Sequence, residues 1–334
     1  MKLLLYILSL ILYLKVLPQN IQWYKSFNGE GTINITSTIC DTKNNIYIAG
    51  YFWSNNILLD TIQLNSYGME DMFIACIDIN GKVKWIKTFG GKNNERINSI
   101  DIYNDKYIAI TGFFHSSEIK FDEHHIIKNT PNSWQSDLFV AKFDIQGNCL
   151  WAKSYGNINK ETGNIITFIN SSILVSGEFC SESITLSKSL YNTGETNTFI
   201  FSMDSTGNIE WSSQLTGISN NPNSMAIKDN NIYLTGSFSN EISPDNIKLK
   251  SKGGKDIYIA KYNKDGKLIN LISYGSKYDD IPYKIYHNFN KLYLTGKFAD
   301  TAFFDNYITI EKGGDDMFFA VIDSAAPAFV FTDI

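Results

Sequence analysis

Two adjacent histidines form the densest group of metal-binding side chain types in this sequence. His124 and His125 follow Asp122 and Glu123, and zinc accepts imidazole together with carboxylate ligands. Adjacent residues of an extended segment point to opposite sides, so a joint site needs a special loop geometry. The similar stretch Phe304–Tyr307 contains no histidine. The pattern favours solvated loop histidines, and we predict no metal site and no cofactor.

Aspartates recur in the chain at positions where they could bind calcium or form turns. Asp78, Asp144 and Asp204 each stand three residues before a glycine. A calcium loop needs a denser set of oxygen ligands, whereas an aspartate that binds its own backbone before a glycine is typical of a hairpin turn. A second series is also interpreted as turn residues: Asp60, Asp122, Asp245 and Asp305.

The carboxylate of Asp101 bears on whether the protein is an enzyme. A glycoside hydrolase needs two carboxylates about 5–9.5 Å apart, and Asp101 is the only acid predicted in the central strands of the fold. A one-residue register offset is favoured over an inward-pointing carboxylate, because burying an unpaired charge is costly. G-x-S-x-G, H-E-x-x-H and P-loop motifs are absent from the sequence. We predict no catalytic residue and no enzymatic activity, with a five-bladed glycoside hydrolase as the alternative.

Four residues in connections between predicted strands form the predicted ligand face: Trp53, His115, Trp134 and Tyr278. Exposed aromatic rings of this kind are stacking platforms for a glycan, and an aromatic centre is also typical of a protein contact. Both ligand classes stay open. Only one of the 29 basic residues is an arginine, Arg96, so the charge pattern excludes nucleic acid as a partner.

A glycine-centred phrase recurs every 59 to 65 residues and gives the organisation of the chain. Each copy of this phrase has a phenylalanine two residues after the glycine, and the glycines are Gly50, Gly112, Gly177, Gly236 and Gly296. An apolar phrase such as Asp71–Asp78 follows, then a turn and a strand that contains Trp85, Trp151 or Trp211. Each repeat therefore contains four short β-segments, which is typical of a β-propeller blade.

We predict an all-β fold, a five-bladed β-propeller of four-stranded antiparallel blades in one domain over residues 19–334. The repeat units are approximately 23–84, 85–150, 151–210, 211–270 and 271–323. The segment Gln22–Phe27 resembles a fourth strand, whereas the last unit ends after its third strand at Asp323. We therefore predict that the strand around Trp23 completes the last blade and closes the ring. The long connections share one rim, where a ligand is expected.

The repeats resemble the bacterial β-propeller repeats of the SBBP type. The phrases that carry the resemblance are Gly50–Phe52, Asp71–Ala75, Asp78–Gly81 and Trp85–Gly91, with their copies. They cover nearly all of the chain after its first residues. The resemblance implies an exported or surface-associated protein, but it implies no substrate and no functional residues.

The first 18 residues resemble a secretory signal peptide. Met1 and Lys2 precede an apolar run from Leu3 to Leu14, which is shorter than the ~20 residues that span a bilayer. We predict an exported protein, located outside the cell, on its surface or in a periplasm, with no transmembrane segment after cleavage. Four widely spaced cysteines favour no pairing and are interpreted as small buried residues: Cys40, Cys76, Cys149 and Cys180.

Overall fold

The computed structural model describes residues 21–54, 57–131, 135–244, 247–299, 301–304, 307–309 and 314–323. Strands are the regular structure of these residues, as the β-branched and aromatic side chains of the repeats predict. The described residues include no helix with the length and apolarity needed to cross a membrane.

Five antiparallel sheets contain the repeated strands in chain order. Sheet 1 comprises Thr32–Cys40, Ile46–Trp53, Asp71–Ile77 and Val83–Phe89. Sheet 2 comprises Glu95–Tyr103, Tyr107–Phe114, Asp137–Asp144 and Cys149–Tyr155. Sheet 3 comprises Glu161–Ile169, Ser172–Phe179, Asn197–Met203 and Ile209–Leu215. Sheet 4 comprises Gly217–Lys228, Asn231–Ile242, Leu249–Tyr262 and Leu268–Tyr274. Sheet 5 has three described strands, Ile281–Asn288, Lys291–Phe298 and Asp316–Asp323.

Short hairpins occupy the long connections between second and third strands. They are Leu58–Leu59 with Ile62–Gln63, Glu118–Lys120 with Ile126–Lys128, Ser183–Thr185 with Ser189–Tyr191, and Ala302–Phe304 with Tyr307–Thr309. In sheet 4 the second and third strands are themselves longer and pair with each other out to Ile242 and Leu249. The remaining strand, Phe27–Asn28, pairs with Leu58–Leu59. The long connections therefore add a second layer of β-structure at one rim of the sheets.

The repeated glycine of each second strand lies opposite a β-bulge in the first strand. In sheet 1 the register shifts between Ile35 and Ser37, and a Cβ atom on Gly50 would lie 1.9 Å from the carbonyl oxygen of Asn34. The other four repeated glycines meet a first-strand carbonyl in the same way. Only glycine permits this approach of two backbones, which explains why the residue recurs at a regular spacing.

Backbone hydrogen bonds join each sheet to the next at the start of the first strand. The amide of Glu95 in sheet 2 donates to the carbonyl oxygen of Glu70 at 2.8 Å. The equivalent bonds join Glu161 to Ser136, Asn220 to Thr196, and Asp280 to Lys255. Apolar side chains fill the space between sheets, as Met72 and Ile74 do beside Ile97. The hydrophobic core thus lies between consecutive sheets and holds them in order.

In sheets 1, 2 and 3 a tryptophan of the fourth strand covers the glycine turn of the following sheet. The contacts are Trp85 on Gly147, Trp151 on Gly207 and Trp211 on Gly266. Trp23 packs on Gly81 of sheet 1 in the same way. The indole N–H of Trp23 donates to the carbonyl of Ile79 at 2.8 Å, and the indole of Trp151 donates to Ser205 at 3.1 Å. Trp23 therefore has the environment of a fourth-strand tryptophan.

Consecutive four-stranded antiparallel repeats fit a β-propeller-like fold, as the repeat pattern predicts. The predicted pairing of the Trp23 segment with sheet 5 is not confirmed, because Asp316–Asp323 is an edge strand among the described residues. The interpretation of the cysteines as buried is wrong for Cys40, which is exposed. Cys76 is buried, Cys149 and Cys180 are half-buried, and all four thiols are free.

Candidate functional site

A cavity, called the channel below, is lined by residues from the first strands of all five sheets. Its volume is about 340 Å³. Most of the lining side chains are hydroxyls and amides, including Ser37, Thr38, Asn98, Asn164 and Ser224. The β-bulge positions a polar residue of each first strand at the wall, since it alters the alternation of inward and outward side chains. The channel is therefore polar and has few charges.

Polar side chains of the channel wall hold neighbouring sheets together. The Thr36 hydroxyl donates to the carbonyl of Ile97 at 2.6 Å, and the Asn98 amide donates to the carbonyl of Gly163 at 2.9 Å. Asn164 makes the equivalent bond to Pro222 at 3.5 Å. These side chains are bound to protein carbonyls, so they build the channel as well as line it.

Counting residues back from the repeated glycine assigns the wrong strand register to Asp101. It pairs with the residue three before the repeated glycine, as Ile39 does in sheet 1. Ile166 of sheet 3 instead pairs with the residue two before its glycine. The turn between first and second strands is longer in sheets 1 and 2, so both sheets share a one-residue offset relative to sheet 3. The expectation of an offset confined to the Asp101 sheet is therefore wrong: Asp101 has the same pairing as Ile39, and it is among the residues that line the channel.

The Asp101 carboxylate is half-buried between sheets 2 and 3. It accepts hydrogen bonds from the Thr167 hydroxyl at 2.9 Å and from the backbone amides of Phe168 and Ile102 at 2.8 Å each. Burial raises the pKa of Asp101, and these hydrogen bonds, with the positive charge of Lys284, oppose that rise. Asp101 is thus a partnered carboxylate that links two first strands.

The predicted ligand residues that the structure describes lie on the rim of the long connections. Trp53 and His115 share one repeat position, three residues after the glycine, and Trp53 is 59% exposed. Tyr278 is 52% exposed in the connection between sheets 4 and 5. His115 is half-buried and bound, with its Nδ1 atom 3.2 Å from the Asn94 carbonyl. Trp134 lies outside the described residues.

A polar groove on the same rim lies over sheet 2. Its volume is about 500 Å³, and its lining includes Ser117, Lys128, Asn129, Thr130 and Ser154. The Asn129 amide and the Thr130 and Ser154 hydroxyls donate to protein acceptors. The hydroxyl oxygens can still accept hydrogen bonds from a sugar or a peptide, and an ammonium group such as that of Lys128 can donate them.

Arg96 joins sheets 1 and 2 at this rim and was not predicted as a functional residue. Its guanidinium binds Glu70 with two hydrogen bonds of 2.6 and 2.8 Å and lies 4.3 Å from the centre of the Tyr51 ring. The hydrogen bonds to Glu70 and the negative charge of Glu70 raise the pKa of Arg96. The signal for this role in the sequence was that Arg96 is its single arginine.

Buried carboxyl pairs lie at three of the contacts between consecutive sheets. The pairs are Asp71 with Glu95, Asp137 with Glu161, and Asp256 with Asp280. Burial and the charge of the partner raise the pKa of Glu95, Glu161 and Asp256 to about 7 each. The recurrence of an acid at the start of an apolar phrase was a signal in the sequence.

At the contact of sheets 3 and 4 both carboxyl positions carry amides. The Asn220 side chain accepts the backbone amide of Thr198 at 2.7 Å, and the Asn197 side chain accepts that of Gly217 at 2.9 Å. Both amides are buried. The same contact between sheets is therefore made once by a neutral pair.

The turn interpretation of the recurrent aspartates agrees with their hydrogen bonds. Asp78 accepts the backbone amides of Asn80 and Lys82 at 2.9 and 2.8 Å, and Asp144 and Asp204 make the same bonds. These bonds lower the pKa of Asp204 to about 2. Asp60 forms an ion pair with Lys25. Asp245 and Asp305 lie outside the described residues.

Comparison with known proteins gives a weak link to repeat proteins. No family model matches the chain, so the resemblance to SBBP repeats stays a prediction. The chain is 24% identical, over an alignment of 279 positions, to an uncharacterized WD repeat-containing protein, L264, of Acanthamoeba polyphaga mimivirus. The alignment covers 65% of this chain and 20% of that protein. The chain thus spans about a fifth of the length of this curated relative.

Among solved structures, the tail fiber of Staphylococcus aureus phage P68 is similar over 89% of this chain and 52% of that chain. Its TM-score is 0.31 and its sequence identity is 12%. The WD-repeat relative and the all-β sheets fit a β-rich binding or scaffold module.

Proposed function

We propose that this protein is an exported, non-enzymatic β-propeller that binds an external ligand on the rim of its long connections. The observation that carries the proposal is the exposure of Trp53 and Tyr278 on that rim, which also carries the polar groove over sheet 2. A rim with both exposed aromatic rings and hydrogen-bonding groups suits a glycan, because a sugar ring has apolar C–H faces and polar edges.

Binding to a glycan array, followed by calorimetry on a positive glycan, tests this proposal. The double variant Trp53→Ala and Tyr278→Ala is expected to lose binding while it keeps the circular dichroism spectrum of the parent. Phe289→Ala is the matched control, since Phe289 is 85% exposed in a short turn between first and second strands. Unchanged glycan affinity in the double variant would exclude these rings as the platform, and a protein captured instead of a glycan would identify the other ligand class.

The proposal includes a ring of five blades closed by the Trp23 segment. Trp23 packs on Gly81 as the other tryptophans pack on the turn of the following sheet, which is the position of a fourth strand that precedes sheet 1. The edge strand of sheet 5 has an apolar face, on which Met317, Phe319 and Val321 are all more than half exposed. Their counterparts in sheet 1 are Met72, Ile74 and Cys76, which are fully buried. Closure would cover this face.

Absence of catalysis is supported by the carboxylates of the channel. Asp101 is the one acid among the described residues that line it, and its oxygens are bound to Thr167, Phe168 and Ile102. A hydrolase of the usual kind needs a second carboxylate across the scissile bond. Release of reducing sugar from a glycan that binds, abolished by Asp101→Asn, would overturn this part of the proposal.

Export is the remaining part of the proposal, and it is supported by the basic start and apolar run of residues 1–18. Cells that express the full chain are expected to release or surface-display a shortened protein. Cells that express a chain without residues 1–18 are expected to retain it. Retention of both forms inside the cell would contradict export without affecting the binding assay.

A further inference from the structure

Three side chains of different chemistry meet at the outer part of sheet 2. Asp122 and His125 lie in the turn that joins Glu118–Lys120 to Ile126–Lys128, and Cys149 begins the fourth strand. The carboxylate oxygen, imidazole nitrogen and sulfur atoms lie within 4.8 Å of one another. No other group of three such side chains is this close in the described part of the chain.

Two of these three side chains, His125 and Cys149, depart from the pattern of the repeats, whereas Asp122 belongs to the recurrent series of turn aspartates. Cys149 pairs with the third strand at the position that Val83, Ile209 and Leu268 occupy in the other complete sheets. The turn that contains His125 has five residues, whereas the equivalent turn of sheet 1 has two. An extension and a substitution that are distant in sequence thus meet in space. Structural requirements of a blade do not explain this coincidence, because the other sheets form without it.

Hydrogen bonds hold the imidazole in the orientation of a metal ligand. The Asp122 carboxylate accepts the backbone amides of His124 and His125 at 2.8 Å each, which fixes the turn. The His125 Nε2 atom lies 3.1 Å from the carbonyl oxygen of Leu150 and donates to it. Metal-bound histidines characteristically donate their second ring nitrogen to a carbonyl in this way. The Nδ1 atom is then directed at Asp122, 2.7 Å from the carboxylate.

We propose that Asp122, His125 and Cys149 form a zinc site. A thiolate, an imidazole and a carboxylate are all zinc ligands, and three protein ligands leave a fourth position for water or for an external ligand. The side chains of Asp122 and His125 are 39% and 28% exposed, so an ion can enter from solvent. Adjacent histidines suggested His124 and His125 together, but the structure pairs His125 with a cysteine 24 residues away.

Zinc binds the thiolate form of cysteine, so binding must release the thiol proton of Cys149. The affinity of the site for zinc is expected to increase with pH, since fewer protons then compete with the metal.

Cobalt(II) and zinc titrations of the purified protein under reducing conditions test the site. Cobalt is expected to give a sulfur-to-metal charge-transfer band in the near ultraviolet, and one equivalent of zinc is expected to abolish it. Cys149→Val, which restores the residue found at position 83, should remove the band. His125→Gln should weaken zinc binding, measured against a coloured chelator, by about 100-fold or more, given that loss of an outer-shell partner alone costs about 10- to 100-fold.

His124→Gln and Cys180→Ser are the matched controls, because these side chains are not in the cluster. Both are expected to keep the cobalt band and the zinc affinity of the parent. No charge-transfer band in the parent, or a band that persists in Cys149→Val, would overturn the proposal. Equal loss of affinity in His124→Gln and His125→Gln would also overturn it, since that result would mean binding to surface histidines.

Discussion

The indole of Trp23 packs on Gly81, as the indole of Trp85 packs on Gly147 of the next sheet. Trp85 belongs to the sheet before Gly147, and among the described residues no sheet comes before the one that contains Gly81. If the ring is closed, the contact of Trp23 with Gly81 implies that sheet 5 lies beside sheet 1. By the register of sheet 1, Ala320 would then pair with Tyr24, since Ala75 pairs with Ile86.

A designed crosslink checks this register. Cysteines at Tyr24 and Ala320 are expected to form a disulfide in mild oxidant, because paired residues of adjacent strands have Cα atoms about 4.5–5.5 Å apart. Cysteines at Tyr24 and Met317 are the control, since they would be three residues out of register. Mass spectrometry of the non-reduced protein distinguishes the two. Equal crosslinking of both pairs would contradict the proposed strand register.

The buried carboxyl pairs predict a stability that depends on pH. Glu95 has an ordinary pKa of 4.5 and a pKa of about 7 in the folded protein. The folded state holds the extra proton between these values, so the free energy of unfolding should fall as pH rises through this window. Replacing Asp71 with Asn and Glu95 with Gln should reduce this fall by on the order of 1–3 kcal/mol. Urea unfolding at a series of pH values measures it.

The amide pair of sheets 3 and 4 provides the reverse experiment. Asn197→Asp with Asn220→Glu should steepen the loss of stability between about pH 5 and pH 8, because it creates a fourth buried carboxyl pair. A pH dependence that neither double variant alters would mean that these pairs are not the groups that titrate.

The contact between a tryptophan and a glycine turn predicts that replacing the glycine has both a conformational and a steric cost. Gly147 has a φ of +81°, and an added Cβ atom would lie 3.0 Å from the Trp85 ring. Gly147→Ala should lower the free energy of unfolding by about 1–3 kcal/mol. Part of that cost should disappear in a Trp85→Leu background, where the ring is absent. A cost that is identical in both backgrounds would assign it to the backbone alone.

Asp101 is predicted to stabilise the protein rather than to take part in catalysis. Asp101→Ala leaves the part-buried backbone amide of Phe168 without its acceptor, at a cost of about 1–3 kcal/mol. Asp101→Asn should be milder, because the amide oxygen can still accept one of the two bonds from sheet 3. Ligand affinity at the rim is expected to stay unchanged in both variants. Thermal unfolding and calorimetry separate the two effects.

Most of the strand architecture could be predicted from the spacing of the glycines. Gly50 and its copies recur because a bulged first strand approaches their Cα atoms, and that requirement is local and visible in the sequence. The position of Asp101 could not be predicted by counting, because an added turn residue in sheets 1 and 2 changes which residue it pairs with. Turn length decides register, and an irregular turn hides it.

The candidate sites were harder to predict because they depend on contacts between segments distant in sequence. Trp53 and Tyr278 were predicted from their exposed, irregular positions, and the structure places both on one rim. The contact of His125 with Cys149 required a hairpin to fold over the outer strand, which no local pattern indicates. The carboxyl pairs likewise form only when consecutive sheets pack together.

The substitution of Asn197 and Asn220 for two acids has a consequence for how such chains diverge. Both partners of the contact changed together, although they lie 23 residues apart and in different sheets. Correlated substitutions are usually found by comparing many homologous sequences. In a chain of similar repeats, they can be found by comparing the repeats of one molecule. Residues that vary in concert among its copies mark neighbours in space.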